Sequence, residues 1–287
     1  MRHLSKDLWL LYASNFLFAV GMGLYASLWP AYIRELGGTP VNIGLIAGIG
    51  GAIGILFAVP AGLLADRFER RTQILWGWIA AIPVPVLFAL AGDWRALIPG
   101  QVLMSAGIIF FPALQAYVME KAPPGRDAFV YTFVMSSFPL GLVLGPPIGG
   151  WLADRSGIKV VFWAVTALWT LATLASVPIQ AQRPHRAAKT ATGGALSARG
   201  LFDSLFYVNP SVLRVSALFV AVFGLQSMAG TFVTPYLQDV AKIDLFWISV
   251  LGATASLGAA LGSPVLGWLA DRQGKIRILG ISQLALD

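Results

Sequence analysis

The chain has 287 residues, 57% of them hydrophobic and only 11% charged, with a formal net charge of +7. A soluble globular domain carries about 25% charged residues, so the composition excludes a water-soluble fold and describes an integral membrane protein whose surroundings are the lipid bilayer. Cysteine is absent, which removes disulfides, thiolate metal sites and cysteine nucleophiles, and the basic excess fits positively charged loops on one side of a membrane rather than nucleic-acid binding.

Apolar segments of bilayer-crossing length, about 17–25 residues each, predict helices near 8–33, 41–64, 73–91, 95–119, 127–153, 160–179, 211–237 and 244–269. A ninth opens at Ile276 and meets the end of the chain at Asp287. The first segment, "LWLLYASNFLFAVGMGLYASLWPAYI", is longer than a signal-peptide apolar region and reads as a retained span. Glycines four apart, such as Gly44 and Gly48 or Gly258 and Gly262, suit close helix contact. The stretch "AQRPHRAAKTATGGALSARG" is basic, rich in Ala, Gly and Thr and without apolar periodicity, as in a flexible linker. These features divide the chain into a six-helix half at 1–180, a linker at 181–210 and an incomplete second half at 211–287.

Basic residues set the expected orientation. With the N-terminus inside, fifteen of the twenty Lys and Arg residues fall in inner segments and five, Arg34, Arg95, Arg155, Lys159 and Lys242, in outer ones. The opposite topology reverses that ratio, so the N-terminus is expected in the cytoplasm and the chain in the cytoplasmic membrane.

A short charged phrase follows three of the apolar runs: "GLLADRFERR" from Gly62, "GWLADRSGIK" from Gly150 and "GWLADRQGKIR" from Gly267. Gly62 and Gly267 stand 205 positions apart, and the same offset relates Pro30 to Pro235, Asp66 to Asp271, Arg67 to Arg272 and Arg70 to Lys275. That offset spans six helices and restores the chain direction. Gly62 and Gly150 stand 88 positions apart, three helices, which inverts it. Parallel six-helix halves, each built of an inverted three-plus-three repeat, are the symmetry of a large class of secondary transporters.

These residues resemble the major facilitator superfamily of secondary transporters, whose motif between the second and third helices runs G-x-L-a-D-R-x-G-R-K/R. Gly62, Leu64, Ala65, Asp66, Arg67, Arg70 and Arg71 match it, and Glu69 stands where the family has glycine. The later copy, with Gly267, Asp271, Arg272 and Lys275, keeps that glycine as Gly274. A second family feature, G-x-x-x-G-P-x-x-G-G of the antiporter branch, appears as Gly141, Gly145, Pro146, Gly149 and Gly150, with Thr132 where a longer version places another glycine. The resemblance implies an all-α membrane protein: a bundle with a six-helix N-terminal half and an incomplete C-terminal half. The family has twelve or fourteen helices, so a fragment or a truncated gene product is expected.

The resemblance also implies a gating role for the charged motif, with Asp66 as a latch and Arg126 of "APPGRDA" as its partner; the plainer reading of Arg70 and Arg71 is a solvated basic loop. Gly145–Pro146 reads either as a kink with tight packing or as the antiporter feature. Asn15, Gln115 and Gln226, and Tyr25 among the tyrosines, lie on helices that line the family's central cavity, and are substrate contacts or interhelical hydrogen bonds. The cavity's neutral polar and aromatic residues suit a small neutral, amphipathic or cationic organic solute better than a phosphate ester. No acid lies mid-span, so coupling to an ion such as a proton would fall to Asp7, Glu35 or Glu120 at helix ends, lie elsewhere, or be absent. The function expected is secondary active transport by alternating access, as an efflux carrier. Uptake of a small solute and a non-transporting remnant are the alternatives. Neither enzyme chemistry, a metal site nor a cofactor is expected, and nothing in the sequence sets an oligomeric state.

Overall fold

The computed structural model describes residues 4–182, 241, 242 and 245–274. Contacts divide the chain into one compact unit, Met1–Pro184 with Leu251–Asp287, and a second, His185–Val250. Of the second, the described part is residues 241, 242 and 245–250, with Lys242 in a left-handed conformation (φ 55°). The predicted seventh helix, 211–237, and the ninth, from Ile276, lie outside the described residues.

Among the described residues the regular structure is entirely helical: α1 (Lys6–Ala26), α2 (Trp29–Glu35), α3 (Pro40–Arg67), α4 (Arg70–Ala81), α5 (Pro83–Ala89), α6 (Leu97–Ala106), α7 (Phe110–Lys121), α8 (Asp127–Ser156), α9 (Ile158–Ser176) and α10 (Leu245–Gln273). Six segments of the described residues are long and apolar enough to cross a bilayer. Proline explains where the predicted helices break. The expected helix 8–33 is divided at Ser27–Leu28, because Pro30 in the first turn of α2 has no N–H for the Ala26 carbonyl. Pro83 divides 73–91 into α4 and α5 in the same way. In 95–119, a 3-10 turn at Gly107–Ile109 precedes Pro112 in the first turn of α7. By contrast, α8 runs unbroken for 30 residues through Pro139, Pro146 and Pro147. Helix α3 starts at a capping box, in which the Thr39 hydroxyl accepts from Asn42 N–H and the Asn42 side chain from Thr39 N–H.

Helix α1 is the spine of the first unit and lies along α8 and α9. Phe18 stacks on Trp169 (ring centroids 4.4 Å apart) and meets Trp78 edge-on at 4.6 Å. The Trp169 indole donates to the Phe18 carbonyl at 3.1 Å. Two buried polar ties join the same helices: Ser176 Oγ to Ser14 Oγ and Asn15 Nδ2 to Ser137 Oγ, each at 2.8 Å. Between helices in lipid such hydrogen bonds contribute about 0.6 kcal/mol each, and close packing supplies most of the rest.

Candidate functional site

The last turns of α10 carry the third copy of the charged phrase against the start of α8. Gly267 makes the approach close: a Cβ there would come within 2.8 Å of the Ala128 carbonyl oxygen and 3.0 Å of Phe129 Cα, with the Thr132 hydroxyl nearer still. One turn further on, the two carboxylate oxygens of Asp271 accept from Ala128 N–H at 3.1 Å and Phe129 N–H at 2.8 Å. These are the second and third residues of α8, whose N–H groups have no partner within the helix. The N-cap residue is Arg126, which makes no side-chain cap bond. Asp271 therefore supplies from α10 the cap that α8 lacks locally, and its charge sits at the positive end of the α8 dipole.

The first copy ends α3 differently. The side chains of Asp66 and Arg67 lie outside the described residues, as do Lys275 and Gln226. Arg70 pairs with the Glu120 carboxylate and donates to the Ala116 carbonyl at 3.3 Å, while its backbone N–H donates to the Gln182 carbonyl at 3.1 Å. Arg71 donates to the Val177 carbonyl at 2.9 Å. Both arginines thus fasten the α3–α4 turn to the ends of α7 and α9, a structured role rather than that of a solvated loop. Arg126 lines a cavity together with Asp271, at the second-half copy of the phrase.

The departure at Glu69 has a conformational cause. Its counterparts Gly157 and Gly274 follow α8 and α10 with φ of 84° and 97°, the left-handed region that favours glycine. The first copy instead leaves α3 through an extended Phe68 (φ −103°, ψ 160°) and restarts at Arg70, with Glu69 at φ −59°. No left-handed residue is required there, and Glu69 is free to accept from Thr72 Oγ1 at 2.9 Å. Gly274→Ala should lower stability by about 1–2 kcal/mol, whereas Glu69→Ala should cost well under 1 kcal/mol. Thermal unfolding of the two purified variants against the parent checks this.

The glycines of α8 seat α1. A Cβ on Gly141 would come within 2.7 Å of the Phe16 carbonyl oxygen, one on Gly145 within 2.8 Å of the Val20 oxygen, and one on Gly149 would overlap the Leu24 carbonyl. From the other side, a Cβ on Gly23 of α1 would come within 3.2 Å of Pro146 Cδ. Gly62 and Gly150 have open space around them. Of the substrate-contact candidates, Asn15 is buried in its bond to Ser137, and Tyr25 is buried among Trp29, Phe88 and Phe162. Gln115 is half-buried and donates to Tyr131 Oη at 2.8 Å.

Two groupings escaped the sequence reading. Trp9 and Tyr12 of α1 meet Phe133 of α8 at 5.6 and 5.1 Å, the latter stacked, and Phe129 continues the row at 6.0 Å. Trp9 remains 42% exposed. The signal was present as aromatic pairs three and four apart, at 9 and 12 and at 129 and 133, on two segments not known to be neighbours. Asp7, named from sequence as a helix-end acid that could couple an ion, is buried, accepting from Tyr117 Oη at 2.9 Å and pairing with Lys121 Nζ at 3.0 Å.

The sequence profile described as Major Facilitator Superfamily matches residues 11–286. The quinolone resistance protein NorA of Staphylococcus aureus (strain MRSA252) is 28% identical over 193 residues, which cover 67% of this chain and 48% of that protein. The chain thus aligns with about half the length of that relative. The multidrug resistance protein MdtG of Proteus mirabilis (strain HI4320) is 27% identical, with 96% of this chain and 69% of that protein covered. In fold the chain is similar to the human organic anion transporter MFSD10 (TETRAN), with a TM-score of 0.66 at 15% identity over 92% of this chain and 72% of that one. With a profile match over nearly its whole length and, among the described residues, entirely helical regular structure with six segments long and apolar enough to cross a bilayer, the chain is a multi-pass membrane protein that belongs to the Major Facilitator Superfamily.

Proposed function

We propose that the protein carries small organic solutes out of the cell across the cytoplasmic membrane by alternating access, with its N-terminus in the cytoplasm. The observation that carries this reading is the Asp271 tie. It joins α10, in the second sequence repeat, to α8, in the first, through two hydrogen bonds and one helix dipole. A contact of that kind is strong enough to hold two halves together and weak enough to break in each cycle. In this reading it closes the cytoplasmic end, where Arg70, Arg71, Arg126 and Arg272 also gather, in keeping with the positive-inside rule. Asp66, related to Asp271 by the 205-residue offset, holds the equivalent position in the first copy.

Relatives named for quinolone and multidrug resistance support an organic solute and outward transport. The row of Trp9, Tyr12, Phe133 and Phe129 suits a planar or cationic solute, since aromatic faces stack on rings and attract cations. Transport of a labelled panel of fluoroquinolones, lipophilic cations and amino acids into inside-out vesicles, with right-side-out vesicles as the opposite case, tests the assignment. Accumulation of the aromatic or cationic compounds in inside-out vesicles supports efflux. Accumulation only in right-side-out vesicles overturns the direction, and movement of amino acids alone overturns the solute class.

A further inference from the structure

A cavity of about 270 Å³ adjoins the Asp271 tie, lined by Gly125, Arg126, Phe129, Trp268, Asp271 and Arg272. Two arginines line it, Arg126 preceding α8 and Arg272 in the last turn of α10. The Arg272 guanidinium lies over the Trp268 ring, 4.1 Å from its centre, which holds a long side chain in one place and lowers the entropy lost when it binds a ligand. The one acid of the lining, Asp271, is occupied by two backbone N–H groups. Its charge is therefore already compensated by α8, and the two arginines set the sign of the cavity.

The remaining lining is Gly125 and the two aromatic residues Phe129 and Trp268, of which Trp268 is 44% exposed. Tryptophan is enriched where hydrocarbon meets headgroup, and a cationic pocket between helices at that level suits an anionic lipid headgroup. The phrase from Gly150 repeats the device at the other end of α8, where Arg155 lies 4.5 Å from the centre of the Trp151 ring.

We propose that the Arg126–Trp268–Arg272 cavity is a binding site for the phosphate of an anionic glycerophospholipid in the leaflet at the start of α8. The two guanidinium groups take the phosphodiester, and Phe129 and Trp268 take the glycerol and the first acyl carbons. A lipid held there bridges α8 and α10 and reinforces the closed tie. The assignment goes beyond the transport reading, and its test reads lipid retention rather than solute movement.

The full chain is extracted, delipidated and exchanged into mixed micelles of phosphatidylcholine and phosphatidylglycerol, and retained lipid is identified by native mass spectrometry. The parent should hold one phosphatidylglycerol in preference to phosphatidylcholine. Arg126→Gln with Arg272→Gln should weaken that retention by about five-fold per arginine, and Arg155→Gln should leave it unchanged. Arg126→Lys with Arg272→Lys, which keeps the charge and guards against a folding defect, should retain most of it. Millimolar inorganic phosphate should not displace the lipid. Equal retention by the parent and the double glutamine variant, an equal loss in Arg155→Gln, or displacement by inorganic phosphate alone would each overturn the proposal, the last by assigning the cavity to a free anion.

Discussion

Asp271→Asn should cut solute transport sharply while leaving the amount of protein in the membrane near that of the parent. Asparagine caps helices well, but its amide offers one acceptor oxygen where Asp271 offers two. One of the N–H groups of Ala128 and Phe129 then loses its partner, and the charge at the α8 dipole disappears. A hydrogen bond to a charged group is worth about 1.5–3 kcal/mol and the dipole term about 0.3–1 kcal/mol. Coupling of about 1–3 kcal/mol between access states changes their ratio by about 5–150-fold. Asp154 in the outer copy is exposed, so Asp154→Asn is the matched control and should transport almost normally. Initial transport rates at equal expression decide the matter. Equal, mild losses in both variants would reduce Asp271 to a helix cap without a part in the cycle.

The largest structural effect is expected at Gly149. Its missing side chain is the space occupied by the Leu24 carbonyl, so Gly149→Val sets a branched side chain against backbone that has nowhere to move. Overpacking of a core costs roughly 1–3 kcal/mol where side chains can yield; against backbone on both helices, the upper end or more is expected. In lipid the loss is aggravated because close approach of small residues is a main source of helix association. Gly150→Val, one residue along and facing open space, should be tolerated. The yield of monodisperse protein and its thermal unfolding in detergent should fall for the first variant and not the second. Comparable behaviour of the two would show that α1 is not seated by these glycines.

Much of this architecture was legible because a bilayer leaves few alternatives. Spans of about 20 apolar residues must be helices, and the repeated phrase, at offsets of 88 and 205, pointed to the family. The proline breaks were less legible. Pro30, Pro83 and Pro112 interrupt their helices, while Pro139, Pro146 and Pro147 do not. The prolines of α8 fall among the glycines that pack closely on α1, a contact which a single segment of sequence does not show. The site was legible in part. The motif pointed to Asp271 and Gly267, but the cap acts across helices, with Asp271 serving α8 because Arg126 cannot. Glu69, a mismatch in sequence, is resolved by a backbone that never turns left-handed. Asp7 was legible as a helix-end acid but not as one buried against Tyr117 and Lys121 of α7.

The central claim is that the contact between α10 and the start of α8 opens and closes, with Asp271 holding it closed. The chain contains no cysteine, so spin labels at Pro124→Cys and Gln273→Cys report on this contact without background. Double electron–electron resonance on the labelled chain in nanodiscs should give a short and a long distance population. Asp271→Asn should shift weight from short to long by at least about five-fold, while Asp154→Asn leaves the ratio unchanged. A single distance, identical in the parent and in Asp271→Asn, would contradict the account.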